Sequence, residues 1–327
     1  MTSIFINLIQ SKIKLSLYIF LLIVVSFLSY SLLKTEKNIH TVEEIVMETP
    51  VVINKLENSS ENLVFIAHGF AGSSSFMRSI ATSLAQTGYT TIRFDFLGHG
   101  KHNTPYFSDL SSSEKTTGYF VNQTHSIIDY YLEKYNKKSA VIIGHSMASD
   151  IVIRVAAERD DIDGVIGISF YSNTLTENKP KNVLIINGEF EYKLREKSLS
   201  LLQRYGIEKP KENILYGSFL NDNARKIISV DYSDHIRILY SKITQKEVIN
   251  WIGQINEKVL EPVTNQQGFY SAMLLFSLFF LFILTVDFFP QENKMVSNIY
   301  LPRFFLSTLL ATCATPIILK YSEINFI

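Results

Sequence analysis

The stretch AVIIGHSMASDIVIRVAAE, residues 140–158, decides the fold of this chain. It opens with Ala140 to Ile143, an apolar run with the length and composition of a buried strand. It closes with Ala148 to Glu158, where apolar residues recur at helical spacing. Ser146 stands between the two runs, with Gly144 two residues before it and an alanine two residues after it. The stretch therefore predicts a strand, a sharp turn with a serine at its tip, and a helix.

Small residues on both sides of the serine suit such a turn, because the backbones of the strand and the helix nearly touch there. Gly-x-Ser-x-Ala is the nucleophile-elbow pattern with alanine in its last place. A five-residue pattern can recur by chance, however, and a serine before a helix is also a common N-cap. The weight of the pattern depends on what precedes and follows it.

Composition narrows the class of protein. The chain has 327 residues with a formal net charge of zero, so nothing indicates a nucleic-acid partner. Charged residues make up 19% of the chain, below the roughly 25% of an ordinary soluble domain. The apolar residues concentrate at the two ends, which indicates a membrane. Cys313 is the one cysteine, so no intrachain disulfide can form.

The N-terminal apolar run, Leu15 to Leu33, contains no charged residue and is long enough to cross a bilayer. We expect an uncleaved signal anchor. A cleaved signal peptide is the first alternative, but it needs a shorter apolar core, and 29–31 is a poor cleavage site. A buried helix of a soluble protein is the second alternative.

Two further uncharged runs lie near the C-terminus, at 269–286 and 304–319. They predict a hairpin of membrane spans joined by a short loop that carries Lys294 and Arg303. A helix lying in the membrane interface is the alternative for the second run.

The positive-inside rule orients these three spans. Lys12 and Lys14 precede the first span, which favours a cytoplasmic N-terminus, an extracytoplasmic central region and a cytoplasmic 294–303 loop. Lys34 and Lys37 oppose this orientation. We therefore expect a multi-pass membrane protein whose central region is extracytoplasmic.

Strand and helix signals alternate through the centre of the chain. Short apolar runs predict strands at 51–53, 63–67, 90–94, 140–143, 164–170, 182–186 and 225–230. Helical spacing predicts helices at 76–87, 119–135, 148–158, 194–205 and 242–255. Because most of the strands are continuous apolar runs, they predict an α/β fold, a mostly parallel sheet covered by helices on both faces.

These signals divide the chain into four predicted segments. They are a membrane anchor at 1–36 with its span at about 15–33, a linker and edge strand at 37–59, an α/β domain at 60–257, and a C-terminal transmembrane hairpin at 258–327.

Candidate catalytic residues follow the predicted strands. A serine nucleophile needs a base, a carboxylate that orients the base, and N–H groups aimed at the developing oxyanion. His235 follows the last strand and is the candidate base. Glu191 follows the strand at 182–186 and is the preferred acid, with Glu189 as the alternative acid. The main-chain N–H groups of Phe70, in the turn after the first central strand, and Met147 are the candidate oxyanion hole.

Taken as a set, these landmarks resemble the α/β-hydrolase superfamily. The resemblance covers roughly residues 60–257 and includes His68-Gly69-Phe70, the Asp95-to-Gly100 segment, the serine turn, the Gly188-to-Glu191 turn and His235. The Asp95 segment resembles the esterase and monoacylglycerol-lipase-like branch, which implies acyl-ester substrates and a turn-shaping, non-catalytic role for Asp95. Two departures, alanine for the second glycine and glutamate for aspartate as the acid, are tolerated in the family.

The leading hypothesis is a membrane-anchored serine hydrolase that cleaves a carboxylic ester or thioester. We expect a lipid-like small-molecule substrate, the bilayer as partner, and no metal or organic cofactor. Only 171–181 separates two predicted strands where the family often inserts a helical lid, so we expect an open site. An acyltransferase with the same triad and a non-catalytic interaction protein of the same fold are the alternatives, and three spans without buried charge make transport a poor third.

Overall fold

The structure is a computed structural model that describes residues 2–57, 62–105, 113–258 and 261–285. The strands are β1 (Ile39–Val46), β2 (Thr49–Leu56), β3 (Leu63–Ala67), β4 (Thr90–Phe94), β5 (Ala140–His145), β6 (Ile162–Ile168), β7 (Val183–Gly188), β8 (Leu215–Tyr216) and β9 (Arg225–Val230). The helices are α1 (Thr2–Thr35), α2 (Arg78–Gln86), α3 (Ser113–Lys134), α4 (Met147–Ala157), α5 (Tyr192–Arg204), α6 (Lys242–Ile255) and α7 (Gln267–Thr285). Short 3-10 helices are formed by Ser74–Met77, Phe219–Asn221 and Arg237–Tyr240.

Within the described residues the nine strands form one sheet in the order β1-β2-β4-β3-β5-β6-β7-β9-β8. The six strands from β4 to β9 in this order are parallel, whereas β1, β2 and β8 pair in antiparallel fashion. β5, which carries the serine turn, lies in the middle of the sheet. The carboxyl ends of the parallel strands share one edge, so the loops that follow them are brought together there.

Helices cover both faces of the sheet, because side chains along each strand alternate in direction. Phe65 and its neighbours on one face pack against α3, α4 and α5. Val64 and Ile66 on the other face pack against α2 and α6. The α/β fold predicted from the alternating strand and helix signals is confirmed.

The sheet begins earlier than the predicted domain boundary at residue 60. Ile39–Val46 forms an edge strand that pairs with β2 along its full length, and β2 is itself held between β1 and β4. Most side chains of β1 are exposed, so the run has no apolar pattern that marks it as a strand. The segment predicted as linker and edge strand therefore contains two strands of the sheet, β1 and β2.

One compact unit of the chain is Phe27–Leu274, which contains the whole sheet. The remaining described residues, 2–26 and 275–285, belong to a second unit. Two helical stretches, Lys12–Thr35 and Gln267–Leu284, are long and apolar enough to cross a membrane. The third predicted span at 304–319 and the loop with Lys294 and Arg303 lie outside the described residues.

Candidate active site

The serine turn is a strained connection between β5 and α4. Ser146 adopts φ 54° and ψ −118°, a backbone conformation that non-glycine residues rarely adopt. A Cβ on Gly144 would lie 2.4 Å from the carbonyl oxygen of Ala148, so the strand and helix backbones approach as closely as the sequence pattern predicts. The turn holds the serine side chain, half-buried, above the carboxyl edge of the sheet.

His235 connects the serine to a carboxylate. Its Nε2 lies 2.8 Å from Ser146 Oγ, and its Nδ1 lies 2.6 Å from Glu191 Oε1. The histidine follows β9 and the glutamate follows β7, so two strand ends bring together residues 44 positions apart. The carboxylate side chain is 7% exposed and the imidazole is 47% exposed. This arrangement leaves the imidazole accessible while its partner is shielded from water.

The environment of Glu191 sets the direction of the hydrogen bonds. Burial raises the pKa of its carboxyl, but hydrogen bonds from His235, the Gly188 N–H and the Ser169 hydroxyl outweigh burial and bring that pKa below its ordinary value. The Gly188 N–H and the Ser169 hydroxyl both donate to Oε2, at 2.7 and 3.0 Å. An ionised carboxylate only accepts hydrogen bonds, so Nδ1 of the imidazole carries the proton and Nε2 is left to accept from the serine hydroxyl.

Glu189, the alternative acid, has a different contact. Its Oε2 accepts the main-chain N–H of Tyr232 at 2.6 Å, three residues before the histidine. The Phe190 N–H donates to the carbonyl of Ser233, and a Cβ on Gly188 would lie 2.4 Å from that same oxygen. The acid turn therefore packs directly against the histidine loop and fixes its path.

The turn after β3 lies against the serine. A Cβ on Gly69 would lie 3.0 Å from the Cβ of Ser146 and 2.9 Å from Nδ1 of His145, so only glycine lets the turn come so close. Phe70 is the next residue of this turn, and its side chain is 60% exposed. Met147 is the first residue of α4, where main-chain N–H groups have no partner within the helix. Met147 thus directly follows the serine, and Phe70 directly follows the glycine that lies against it.

Buried polar residues hold the Phe70 turn in place. His68 is fully buried; its Nδ1–H donates to the Gly69 carbonyl, and its Nε2 accepts the Phe96 N–H. Burial lowers the pKa of His68 to about 4, in keeping with a neutral ring. Asp95 accepts the N–H groups of Ser74 and Lys101, so it shapes a turn, as the family resemblance implies.

Two contributors to the site carry no signal in a single sequence. Ser169 supports the acid through its hydroxyl, although it simply ends an apolar strand run. His145 is buried, and its Nε2–H donates to the main-chain carbonyl of His235 at 2.9 Å. Burial lowers the pKa of His145 to about 4, which keeps the ring neutral. His145 thus links the strand that carries the serine to the loop that carries His235.

The segment between β6 and β7 contains no helix in its fully described residues, 169–182. The longer excursion follows the acid and contains α5 and β8. The absence of a helical lid after β6 thus agrees with the expectation of an open site. Among the described residues, no three His, Cys, Asp or Glu side chains are placed to hold a metal ion.

Part of the chain matches a known family model. The family model described as serine aminopeptidase, S33, matches residues 58–187, which include the serine turn and end before Glu191 and His235. No curated protein sequence matches the chain significantly.

Solved structures are similar to this chain over about two thirds of its length. TT1662 from Thermus thermophilus is 13% identical, with a TM-score of 0.51 over 68% of this chain and 99% of its own. Est1E from Butyrivibrio proteoclasticus, solved with ferulic acid, is 19% identical, with a TM-score of 0.48 over 64% and 96%. A hormone-sensitive lipase from a metagenome library is 12% identical, with a TM-score of 0.48 over 73% and 98%. These similarities show the α/β-hydrolase fold.

Proposed function

We propose that this protein is a serine hydrolase that cleaves a carboxylic ester or thioester through an acyl-enzyme intermediate. The observation that carries the proposal is the hydrogen-bonded chain from Ser146 through His235 to Glu191. It joins a nucleophile, a base and an orienting acid at the ends of three parallel strands.

The chemistry follows from this geometry. Ser146 Oγ attacks the carbonyl carbon of the substrate while Nε2 of His235 takes its proton. Glu191 stabilises the imidazolium, and the N–H groups of Phe70 and Met147 stabilise the oxyanion. The imidazolium then protonates the leaving oxygen or sulfur, which leaves an acyl-serine. Water, deprotonated by the same imidazole, releases the acid and restores the serine.

We further propose that the two apolar helices anchor the hydrolase domain in a membrane. Only 6% of the span in Lys12–Thr35 and 11% of the span in Gln267–Leu284 is buried, which favours a membrane helix over the core helix of a soluble protein. An anchored domain with an open site suits an amphiphilic, lipid-like acyl substrate. The four-segment division of the chain, the third span and the extracytoplasmic side remain part of this proposal.

Labelling with a fluorophosphonate probe tests the proposal, because the probe reacts with an activated serine. We expect the full-length protein to label and to hydrolyse p-nitrophenyl esters. Ser146→Ala should abolish labelling and lower kcat by roughly a millionfold. Ser200→Ala, which changes an exposed serine on α5, is the matched control and should match the wild type.

The substrates and the probe also separate the alternatives. Aminoacyl p-nitroanilides are included because the matching family model is described as a serine aminopeptidase, and faster turnover of these would replace the ester proposal. A membrane-impermeant fluorophosphonate should label intact cells if the domain is extracytoplasmic. A folded wild-type protein that neither labels nor turns over any substrate would favour the non-catalytic alternative.

A further inference from the structure

An open groove of about 840 Å³ runs along the outer side of the histidine loop, within the ~300–1,000 Å³ range of small-molecule sites. One wall is the loop itself, Asp231 to Arg237, and another is the start of α6. The third is the beginning of α7, where Gly268, Phe269 and Ala272 line it. We call it the flank groove.

The flank groove suits a hydrocarbon chain. Its apolar lining consists of Tyr232, Ile236, Tyr240, Ile243, Phe269 and Ala272. Tyr232 is 70% exposed, Phe269 59% and Ile236 46%. A cluster of large apolar side chains on an open surface usually marks a binding site. The carboxylate of Asp234 already accepts the main-chain N–H groups of Ile236 and Arg237, so it is engaged within the loop.

The groove is held in a defined shape. A Cβ on Gly268 would lie 2.5 Å from the ring of Tyr240, so glycine lets α7 begin in direct contact with this tyrosine. On the opposite side, Glu189 holds the N–H of Tyr232. The loop wall and the α7 wall are therefore fixed by contacts that do not depend on a ligand.

The loop that forms one wall of the groove also carries the catalytic histidine. Ile236 lines the groove and directly follows His235, whose Nε2 contacts the serine hydroxyl. At the other end, the helix that contributes Phe269 and Ala272 continues as an apolar stretch to Leu284. A hydrocarbon chain in the groove would thus lie against the loop that carries the catalytic histidine and against the start of α7.

We propose that the flank groove binds the long hydrocarbon chain of the substrate and selects for chain length. This inference rests on the proposed esterase function. Each buried methylene favours binding by about fourfold, so an ester with a long chain gains more from the groove than one with a short chain. A short ester reaches the serine without entering the groove.

Filling the groove tests this proposal. Ala272→Trp places a large ring in the groove, and Ser271→Trp is the matched control because Ser271 is on the same helix and does not line the groove. Full-length protein is assayed in one detergent with p-nitrophenyl palmitate and p-nitrophenyl butyrate. We expect Ala272→Trp to lower kcat/KM for palmitate by at least about tenfold and to leave butyrate within about twofold. Ser271→Trp should affect neither substrate.

Equal effects on both esters, or no effect of Ala272→Trp on palmitate, would overturn the groove while leaving the hydrolase intact. Failure of the wild type on both esters would instead overturn the proposed function.

Binding can also be observed without turnover. The Ser146→Ala variant is incubated with a palmitoyl ester that carries a diazirine on its chain, and cross-linked peptides are mapped after irradiation. We expect cross-links within 232–243 and 268–272. Cross-links found only elsewhere on the domain would contradict the proposal even if the wild-type enzyme hydrolyses the ester.

Discussion

At the scale of single residues, the site depends on which groups each side chain meets. Glu191 and Glu189 are two residues apart, yet one contacts the imidazole of His235 and the other a main-chain N–H of the same loop. Both were candidates for the acid because both follow β7. Their difference arises from the turn at Gly188, which aims one carboxylate at the ring and the other at the backbone.

Two single variants, each with one glutamate replaced by glutamine, test this division of roles. Glu191→Gln removes the ionised partner of Nδ1 and allows the wrong tautomer, so we expect kcat to fall by roughly 10⁴-fold, as for the orienting aspartate of a serine protease. Glu189→Gln keeps a side-chain oxygen for the Tyr232 N–H, so kcat should change by less than about tenfold. Hydrolysis of p-nitrophenyl butyrate measures both.

The opposite order of effects in this pair would assign the acid to Glu189. Equal, small effects would contradict the need for any carboxylate. Circular dichroism of both variants serves as the check that the fold is retained.

At the scale of elements, the connection from β5 to α4 carries the chemistry. The strand and helix come so close that Gly144 has no room for a side chain, and Ala148 is fully buried. This packing forces the serine into its strained backbone conformation and exposes its hydroxyl to the base.

Gly144→Ala should disturb this element. Its new methyl would lie 2.4 Å from the Ala148 carbonyl, so the helix must shift, and we expect a loss of about 1–3 kcal/mol in stability, as for overpacked cores. Activity should fall more than stability, because the serine moves with the helix. Thermal unfolding and ester hydrolysis measure the two effects.

Gly118→Ala is the matched control. It makes the same change within α3, where an added methyl meets nothing within 4 Å. It should stabilise the protein by up to about 1 kcal/mol, since alanine favours a helix over glycine. A Gly144→Ala variant as stable and as active as this control would show that the close approach is not required.

At the scale of the whole molecule, a buried polar cluster attaches the ends of the two apolar helices to the hydrolase domain. Asn265, just before α7, donates to the Ser79 carbonyl and the Ser83 hydroxyl and accepts from the Ser79 hydroxyl. Gln245 of α6 joins the same cluster. Beside it, Gln267 donates to Glu36 and Thr35, at the end of α1.

Asn265→Ala should therefore loosen this attachment. It leaves buried hydroxyls on Ser79 and Ser83 with fewer partners, at a cost of about 1–3 kcal/mol for each unsatisfied group. We expect the unfolding midpoint of the full-length protein in detergent to fall by roughly 5–10 °C. Asn250→Ala, at an exposed position of α6, is the control and should stay within about 1–2 °C. Identical midpoints for the two variants would show that the cluster does not hold the helices.

The sequence by itself determined the fold class, because the signals that define it are local. Apolar runs predicted β3, β4 and β9, and helical spacing predicted α6, with the bounds that the structure has. An edge strand was expected in 37–59, but the bounds of β1 were not predicted, because this strand is mostly exposed and is stabilised by pairing with β2. α3 begins at Ser113, before the residue 119 at which its helical spacing was recognised, because its first turns are polar.

The order of the candidate catalytic residues along the chain could likewise be predicted, since each follows a predicted strand. Only the tertiary structure decided which of them meet. Whether Glu191 or Glu189 faces the histidine depends on the register of β7 against β9 and on a turn packed against another loop. The hydrogen bond from His145 to the His235 carbonyl and the flank groove beside α7 both join residues far apart in sequence. Such contacts depend on three-dimensional packing, which no local pattern of residues encodes.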